Sequence, residues 1–397
     1  MILFERKCAF IAFVVVAAIA TVAATAGFAV AQTPSPSPSP QPDSTPLAGG
    51  VFTLLDGPWM APNIQTFPAW IGDNGDVVGT YLDDSWTPHG FVQMHACRPG
   101  DFADRQTGCG QTFILDAVGA LEGTSYGGTW LNGMDASGTV LGRFTDGETL
   151  VHGALWRRSC DWRGQCSFKF QAFDPPGVTT YILFPDEYGT FPSGISATGV
   201  IIGSYTDNDL KSHSFVATPR FEWPFGQADI KLEYSTIPLP DGAGASSLAI
   251  SRSGIVAGDA CGATACAEFL RSPWGAIRTF DSQAPGSEIQ PASVNSFGAI
   301  VGSIYGQPNG SFLQLPNGTT STLDFGPAAI NDRGEIMGSG VAPIILRKTD
   351  GTEVQISAPA PWLVIRGTAM NDRGWITGWV YDDSTYLPVG FVWKPGK

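Results

Sequence analysis

The stretch INDRGEIMG at 330–338 decides the fold, because six other stretches of the chain share its pattern. An apolar residue is followed by three mostly polar or small residues, a Gly, any residue, a β-branched residue, any residue and a second Gly. The other copies are IGDNGDVVG (71–79), MDASGTVLG (134–142), ISATGVIIG (195–203), ISRSGIVAG (250–258), VNSFGAIVG (294–302) and MNDRGWITG (370–378). Their first glycines, Gly75, Gly138, Gly199, Gly254, Gly298, Gly334 and Gly374, are spaced by 63, 61, 55, 44, 36 and 40 residues. Each sits between two apolar runs, where a tight hairpin needs a residue at positive φ. Paired apolar residues after it, such as Val77-Val78 and Ile201-Ile202, imply a strand buried on both faces between two other sheets. The second Gly is expected to make room for a neighbouring sheet.

Outward from the motif, a second apolar run recurs: HGFVQM from His89, HGALWRR from His152, HSFVAT from His213, SFLQL from Ser311 and GFVWK from Gly390. A third run often ends in Asp and Pro, as in FKFQAFDPP from Phe168 and IRTFDSQAP from Ile277. Counting the run that enters the motif, each unit holds four short strands. Seven such units over 47–397, at about 50 residues each, predict an all-β, seven-bladed β-propeller of four-stranded blades. The last unit ends one strand short, and the run VFTLLD at 51–56 is expected to supply it. That pairing would close the ring and leave no blade with an exposed flank.

The core of the motif, taken with the His-Gly-Phe that follows it in the first unit, resembles the bacterial HAF-type extracellular repeat. INDRGEIMG from Ile330 and HGFV from His89 carry the likeness, whereas units four to seven lack the His. The resemblance implies secretion and a propeller-like shape. It transfers no activity to particular residues.

The amino terminus fits export. Arg6 and Lys7 precede an apolar stretch to about Phe28, and Ala29-Val30-Ala31 supplies a small-x-small cleavage pattern, so 1–31 reads as a signal peptide. The alternative is an uncleaved anchor, and only then would the chain meet a membrane. Residues 32–46, QTPSPSPSPQPDSTP, read as an extended Pro/Ser-rich linker. Six cysteines remain beyond Cys8, and in an oxidising compartment their spacing favours local disulfides: Cys97 with Cys109, Cys160 with Cys166, and Cys261 with Cys266. A metal site is disfavoured, since there is no Cys-x-x-Cys.

Composition narrows the function. Gly (49) and Pro (30) argue against long helices, and a net charge of −14 without a Lys/Arg cluster argues against nucleic-acid binding. No catalytic residue stands out. His89, His152 and His213 occupy equivalent places and read as hairpin caps, while His95 stands apart. Gly123-x-Ser125-x-Gly127 matches a nucleophile elbow formally but has neither the strand before it nor the helix after it that the elbow needs. The loops after the motifs gather acids and aromatics: Asp83, Asp84 and Trp86, then Asp146, then Asp207 and Asp209, then Asp259, then Asp382, Asp383 and Tyr386. Carboxylates among exposed rings suit a sugar-binding face, and hard oxygens suit Ca²⁺; no other cofactor is implied. The expected protein is a monomeric, secreted or surface-exposed, non-enzymatic binding or adhesion module for an extracellular glycan or protein. The alternatives are a propeller glycoside hydrolase or lyase using paired Asp carboxylates, and a structural envelope repeat.

Overall fold

The computed structural model describes residues 45–47, 49–55, 64–95, 110–161, 165–180, 187–220, 229–237, 244–261, 266–281, 288–305, 310–338, 343–362, 364–381 and 385–396. The signal-peptide reading (1–31), most of the linker, Cys97, Cys109, Asp382 and Asp383 lie outside them.

Two strands come first, β1 (Thr45–Leu47) and β2 (Gly50–Leu54). Blade one holds β3 (Gln65–Ile71), β4 (Val77–Leu82), β5 (Pro88–Gln93) and β6 (Thr112–Leu115). Blade two holds β7 (Thr129–Met134), β8 (Thr139–Thr145), β9 (Val151–Cys160) and β10 (Cys166–Phe173). Blade three follows with β11 (Thr190–Ile195), β12 (Ile201–Thr206), β13 (Ser212–Arg220) and β14 (Lys231–Thr236). Blade four comprises β15 (Gly244–Ile250), β16 (Val256–Cys261), β17 (Cys266–Arg271) and β18 (Ile277–Asp281). Blade five comprises β19 (Glu288–Val294), β20 (Ile300–Tyr305), β21 (Ser311–Gln314) and β22 (Thr320–Leu323). Blade six has β23 (Pro327–Ile330), β24 (Ile336–Gly338), β25 (Ile344–Arg347) and β26 (Glu353–Ile356), and blade seven has β27 (Ile365–Met370), β28 (Ile376–Tyr381) and β29 (Pro388–Pro395).

Each blade is an antiparallel meander, and the first strands pack against one another from β3 round to β27 and back to β3. The molecule is therefore a seven-bladed β-propeller with its first strands around the axis. Blade seven is completed by β2, which pairs with β29 from Gly50↔Pro395 to Leu54↔Phe391. The expected closure is present. It extends one strand further, because β1 adds to β2 and takes in Thr45 and Pro46, the last two residues of the stretch read as linker.

The paired apolar residues of the motif explain why seven sheets hold together. Successive strand residues point to opposite faces. Val77 accordingly packs into the core shared with blade seven, beside Val392, while Val78 packs with Leu131 and Met134 of blade two. Val140 joins that second core and Leu141 the next, with Ile201. The alternation continues through Ile202 with Val256 and Val301 with Ile336. The first six motifs thus supply one residue to the core behind and one to the core ahead; in the seventh, Ile376 joins the core shared with blade six and the buried Thr377 donates its hydroxyl to Phe391 O.

All seven motif glycines adopt positive φ, from 73° at Gly374 to 95° at Gly75. In each turn the first residue's N–H donates to the fifth residue's carbonyl, and the Gly N–H donates back to the first carbonyl, as in Asn331, Glu335 and Gly334. This is a type I turn closed by a residue in the left-handed region. At Gly254 the closest neighbour of an added Cβ would be Pro273 Cβ at 3.8 Å, so space is not limiting. Gly254→Ala is therefore expected to lower stability by about 1 kcal/mol through backbone strain alone, readable as a shift in the urea midpoint.

The second glycine has a different reason from the one expected. A Cβ at Gly79 would meet Phe67 O at 2.6 Å and the Phe91 ring at 2.7 Å, both within blade one rather than on a neighbouring sheet. Every first strand carries a β-bulge beside this site, between Pro68 and Trp70 in blade one. In four blades the ring that covers the Gly comes from the directly opposed residue of the third strand: Gly79↔Phe91, Gly203↔Phe215, Gly258↔Phe269 and Gly302↔Phe312. The Phe of the His-Gly-Phe run is thus the cross-strand lid of its own glycine.

Cys160 and Cys166 are bonded and stand opposite each other at the β9–β10 turn. The backbones of Cys261 and Cys266 are register partners at the β16–β17 turn.

Candidate functional site

The ring has two unlike ends. One, here the proximal end, carries the glycine turns and the third-to-fourth-strand turns. The other, the distal end, carries the second-to-third-strand turns and the connections between blades.

The proximal end is sewn together. Asn371 Oδ1 accepts the Arg373 and Trp375 N–H groups of its own turn, and its Nδ2 donates to Gly72 O of blade one at 2.7 Å. Asn331 does the same toward Asn371 O, and Asn295 toward Asn331 O. The following residue forms a second seam: Ser296 N donates to Asp332 Oδ1, Asp332 N to Asp372 Oδ1, and Asp372 N to Asp73 Oδ1 at 2.9 Å. The Asn-Asp pair suits this seam because the carboxamide oxygen accepts from its own turn while its nitrogen donates to the next blade, and the carboxylate accepts from the previous one. Across the axis, Arg252 of blade four reaches Asp73 of blade one, with Asp372 of blade seven at 3.8 Å. Burial, with the charges of Asp332 and Asp73, holds the Asp372 carboxyl above its usual range, against the Asp332 amide and Arg252. His95 also serves this end: its N–H and Nδ1 meet Oδ1 of the buried Asp76 at 2.9 and 3.0 Å.

At the distal end the second-to-third-strand turns of blades one to three repeat the same hairpin. Asp83 Oδ1 accepts the Ser85 and Thr87 N–H groups, Asp146 Oδ1 those of Glu148 and Leu150, and Asp207 Oδ1 those of Asp209 and Lys211. The second oxygen faces the repeat histidine. His152 lies between Asp146 Oδ2 at 3.2 Å and Asp174 Oδ2 at 2.7 Å. His89 lies between Asp83 at 3.5 Å and Asp116 at 3.0 Å, and His213 meets Asp207 at 2.6 Å. Asp116 and Asp174 open the connections to the next blade, so each of these two histidines clamps a turn to the exit of its own blade. The hydrogen bond to Asp174 raises the His152 pKa, burial opposes it, and Asp146 adds to the rise; at His89, Asp116 and Asp83 act alike. In His89 and His152 both ring nitrogens are thus engaged by carboxylates of the chain itself. These histidines cap hairpins, as their recurrence implied.

The predicted face is thus divided. Asp83, Asp146 and Asp207 are committed to turns and histidines. Asp84 and Asp209 are exposed, and Asp209 faces Lys211 at 3.5 Å. Trp86 is 53% and Tyr386 68% exposed, joined by Tyr126 at 53%. Asp259, expected in a loop, lies inside β16 and is fully buried, facing Glu268 across the β16–β17 register. Ser125 sits in an irregular connection between β6 and β7 with no helix beside it. Among the described residues no group of three or more His, Cys, Asp or Glu is placed to hold a metal ion.

Backbone conformation separates the two ends. Among the described residues the proximal hairpins put Gly in the left-handed position, whereas the distal hairpins of blades one, two, three and seven put Trp86 (φ 65°), Thr149 (68°), Leu210 (61°) and Tyr386 (57°) there. Such residues meet a steric penalty of about 1–2 kcal/mol that glycine avoids. In the described distal turns and connections Lys211 is the lone cation, set against Asp84, Asp116, Glu122, Glu148, Asp174, Glu187 and Asp209.

No family model and no curated protein matches the sequence. Solved structures match the chain at low identity. A catalytically inactive virginiamycin B lyase from Staphylococcus aureus is 12% identical over 86% of this chain and 98% of its own, with a TM-score of 0.49. A puromycin hydrolase is 14% identical over 85% of this chain and 53% of its own, also at 0.49. A gluconolactonase from Xanthomonas campestris is 13% identical over 89% and 94%, at 0.35.

Proposed function

We propose that the chain is a secreted, HAF-type repeat propeller that binds an extracellular ligand, a glycan or a protein, on its distal end, without catalysing a reaction on it. The observation that carries this reading is the contrast between the two sets of hairpins. Where the turn is purely structural, all seven left-handed positions are glycine; at the distal end Trp86, Leu210 and Tyr386 are held there with their side chains in solvent. A bulky side chain kept in an unfavourable conformation and exposed fits a contact role better than a folding role. The proximal end is occupied by its seams and by Arg252, which supports placing the ligand at the other end.

The test follows from the strain. Tyr386→Gly is expected to raise stability by about 0.5–1 kcal/mol, because it relieves the left-handed conformation and loses little packing. Trp86→Gly and Leu210→Gly, combined with it, are expected to lower ligand capture at least tenfold on a glycan array and on immobilised cell envelopes. Equal capture by the chain and the triple variant would sink the reading.

A further inference from the structure

A second surface, at the proximal end of blades four and five, has no part in the ligand face. Three turns there break the polar pattern of their counterparts. In the glycine turns the residue before Gly is Asn74, Ser137, Thr198, Ser253, Arg333 or Arg373, but in blade five it is Phe297, 69% exposed. In the third-to-fourth-strand turns the same place holds Asn317 and Asp350, but in blade four it holds Trp274, 93% exposed. Leu315, 42% exposed, opens the blade-five turn, where Asp161, Ser272 and Lys348 open its described counterparts in blades two, four and six.

These turns are neighbours. Arg278 beside the Trp274 turn donates to Pro316 O at 3.0 Å, and a Cβ at Gly298, next to Phe297, would lie within 4.0 Å of Leu270, Ile255 and Pro316. Their charge is also unlike that of the rest of the molecule. Residues 251–254, 272–276, 295–298 and 315–319 contain no Asp or Glu, and Arg271 and Arg278 flank them, in a chain of net charge −14. Asp332 of blade six, which reaches this edge, is engaged by the Ser296 N–H at 2.6 Å.

We propose that Trp274, Phe297 and Leu315 dip into the interface of a lipid bilayer bearing anionic headgroups, with Arg271 and Arg278 at headgroup level. Trp and Phe on protruding turn tips, rather than in a groove, suit the soft water–hydrocarbon boundary. Clustered arginines without carboxylates suit an anionic leaflet, and an acidic protein would approach such a surface only where its own acids are missing. The contact does not depend on residues 1–31.

The test uses the full chain with vesicles of phosphatidylcholine alone or mixed with phosphatidylglycerol, each containing brominated acyl chains that quench nearby tryptophan. The chain and its Trp274→Phe variant are compared, so the difference isolates Trp274 whether or not the amino-terminal segment also holds the chain on the vesicle. Quenching of the Trp274 component is expected on the mixed vesicles, reduced at least threefold without phosphatidylglycerol or at high salt. Phe297→Ser with Leu315→Ser, checked for an unchanged far-ultraviolet spectrum, is expected to reduce it at least tenfold. Identical quenching in the chain and Trp274→Phe overturns the proposal. A dimer in solution that dissociates in the Phe297→Ser, Leu315→Ser variant also overturns it and assigns the patch to self-association.

Discussion

Asn371→Ala is expected to destabilise the ring by about 2–4 kcal/mol, seen as a lower urea midpoint, because one buried carboxamide satisfies three backbone groups. Its oxygen takes the Arg373 and Trp375 N–H groups at 3.0 and 2.9 Å, and its nitrogen serves Gly72 O in blade one. Alanine removes all three partners at a site that is 5% exposed. Serine separates the contributions. In blades three and four, Ser196 and Ser251 occupy the same turn position, and their hydroxyls accept the N–H groups of Val200 and Ile255. Asn371→Ser keeps that acceptor and loses the donation across the blade boundary, so it is expected to fall short of the alanine effect by about half. If alanine and serine variants unfold together at the wild-type midpoint, the seam holds nothing.

Much of this fold is legible in the sequence, and the exceptions have physical causes. The motif glycines were legible because a left-handed turn position leaves a residue-type signature at a fixed offset. The closing strand was legible because a meander one strand short must find its edge elsewhere. The clamp histidines were legible by recurrence alone, although their partners Asp116 and Asp174 were not, being 27 and 22 residues away in sequence. Asp259 resembles the loop acids Asp83, Asp146 and Asp207 in type, yet those three stand four residues after their second glycine and Asp259 only one. An offset of one keeps it inside the strand, at the level of Thr80 in blade one. The Asn-Asp seam was hidden because the pair looks like ordinary turn chemistry, and its function lies in groups contributed by the next blade. The exposed Trp274 and Phe297 were hidden for the opposite reason, since apolar residues are assigned to cores until a turn is seen to carry them.

The buried acid in blade four leads to the other large effect. Glu268 is 1% exposed, faces Asp259 across the strand pair, and leaves its Oε1 without a hydrogen-bond partner. Burial, with the Asp259 charge added, pushes its pKa from 4.5 to about 7. The folded chain therefore holds a proton that the unfolded chain releases, and stability is full below about pH 4.5 and declines as pH rises toward 7. The loss by pH 8 is about 3 kcal/mol on the scale of 1.4 kcal/mol per unit. Glu268→Gln cannot ionise and keeps the shape, so its melting temperature is expected to exceed that of the parent at pH 8 and to match it at pH 5. The clamp histidines act in the same direction at higher pH, because a raised folded pKa gives stability that is present below about 6.5 and lost as pH climbs through the folded value. His152→Asn should flatten only that upper part of the curve. The two substitutions thus divide one pH profile into a carboxyl segment and an imidazole segment. A Glu268→Gln profile parallel to the parent's from pH 5 to 8 would show that the strand pair accommodates a charged Glu268 without penalty.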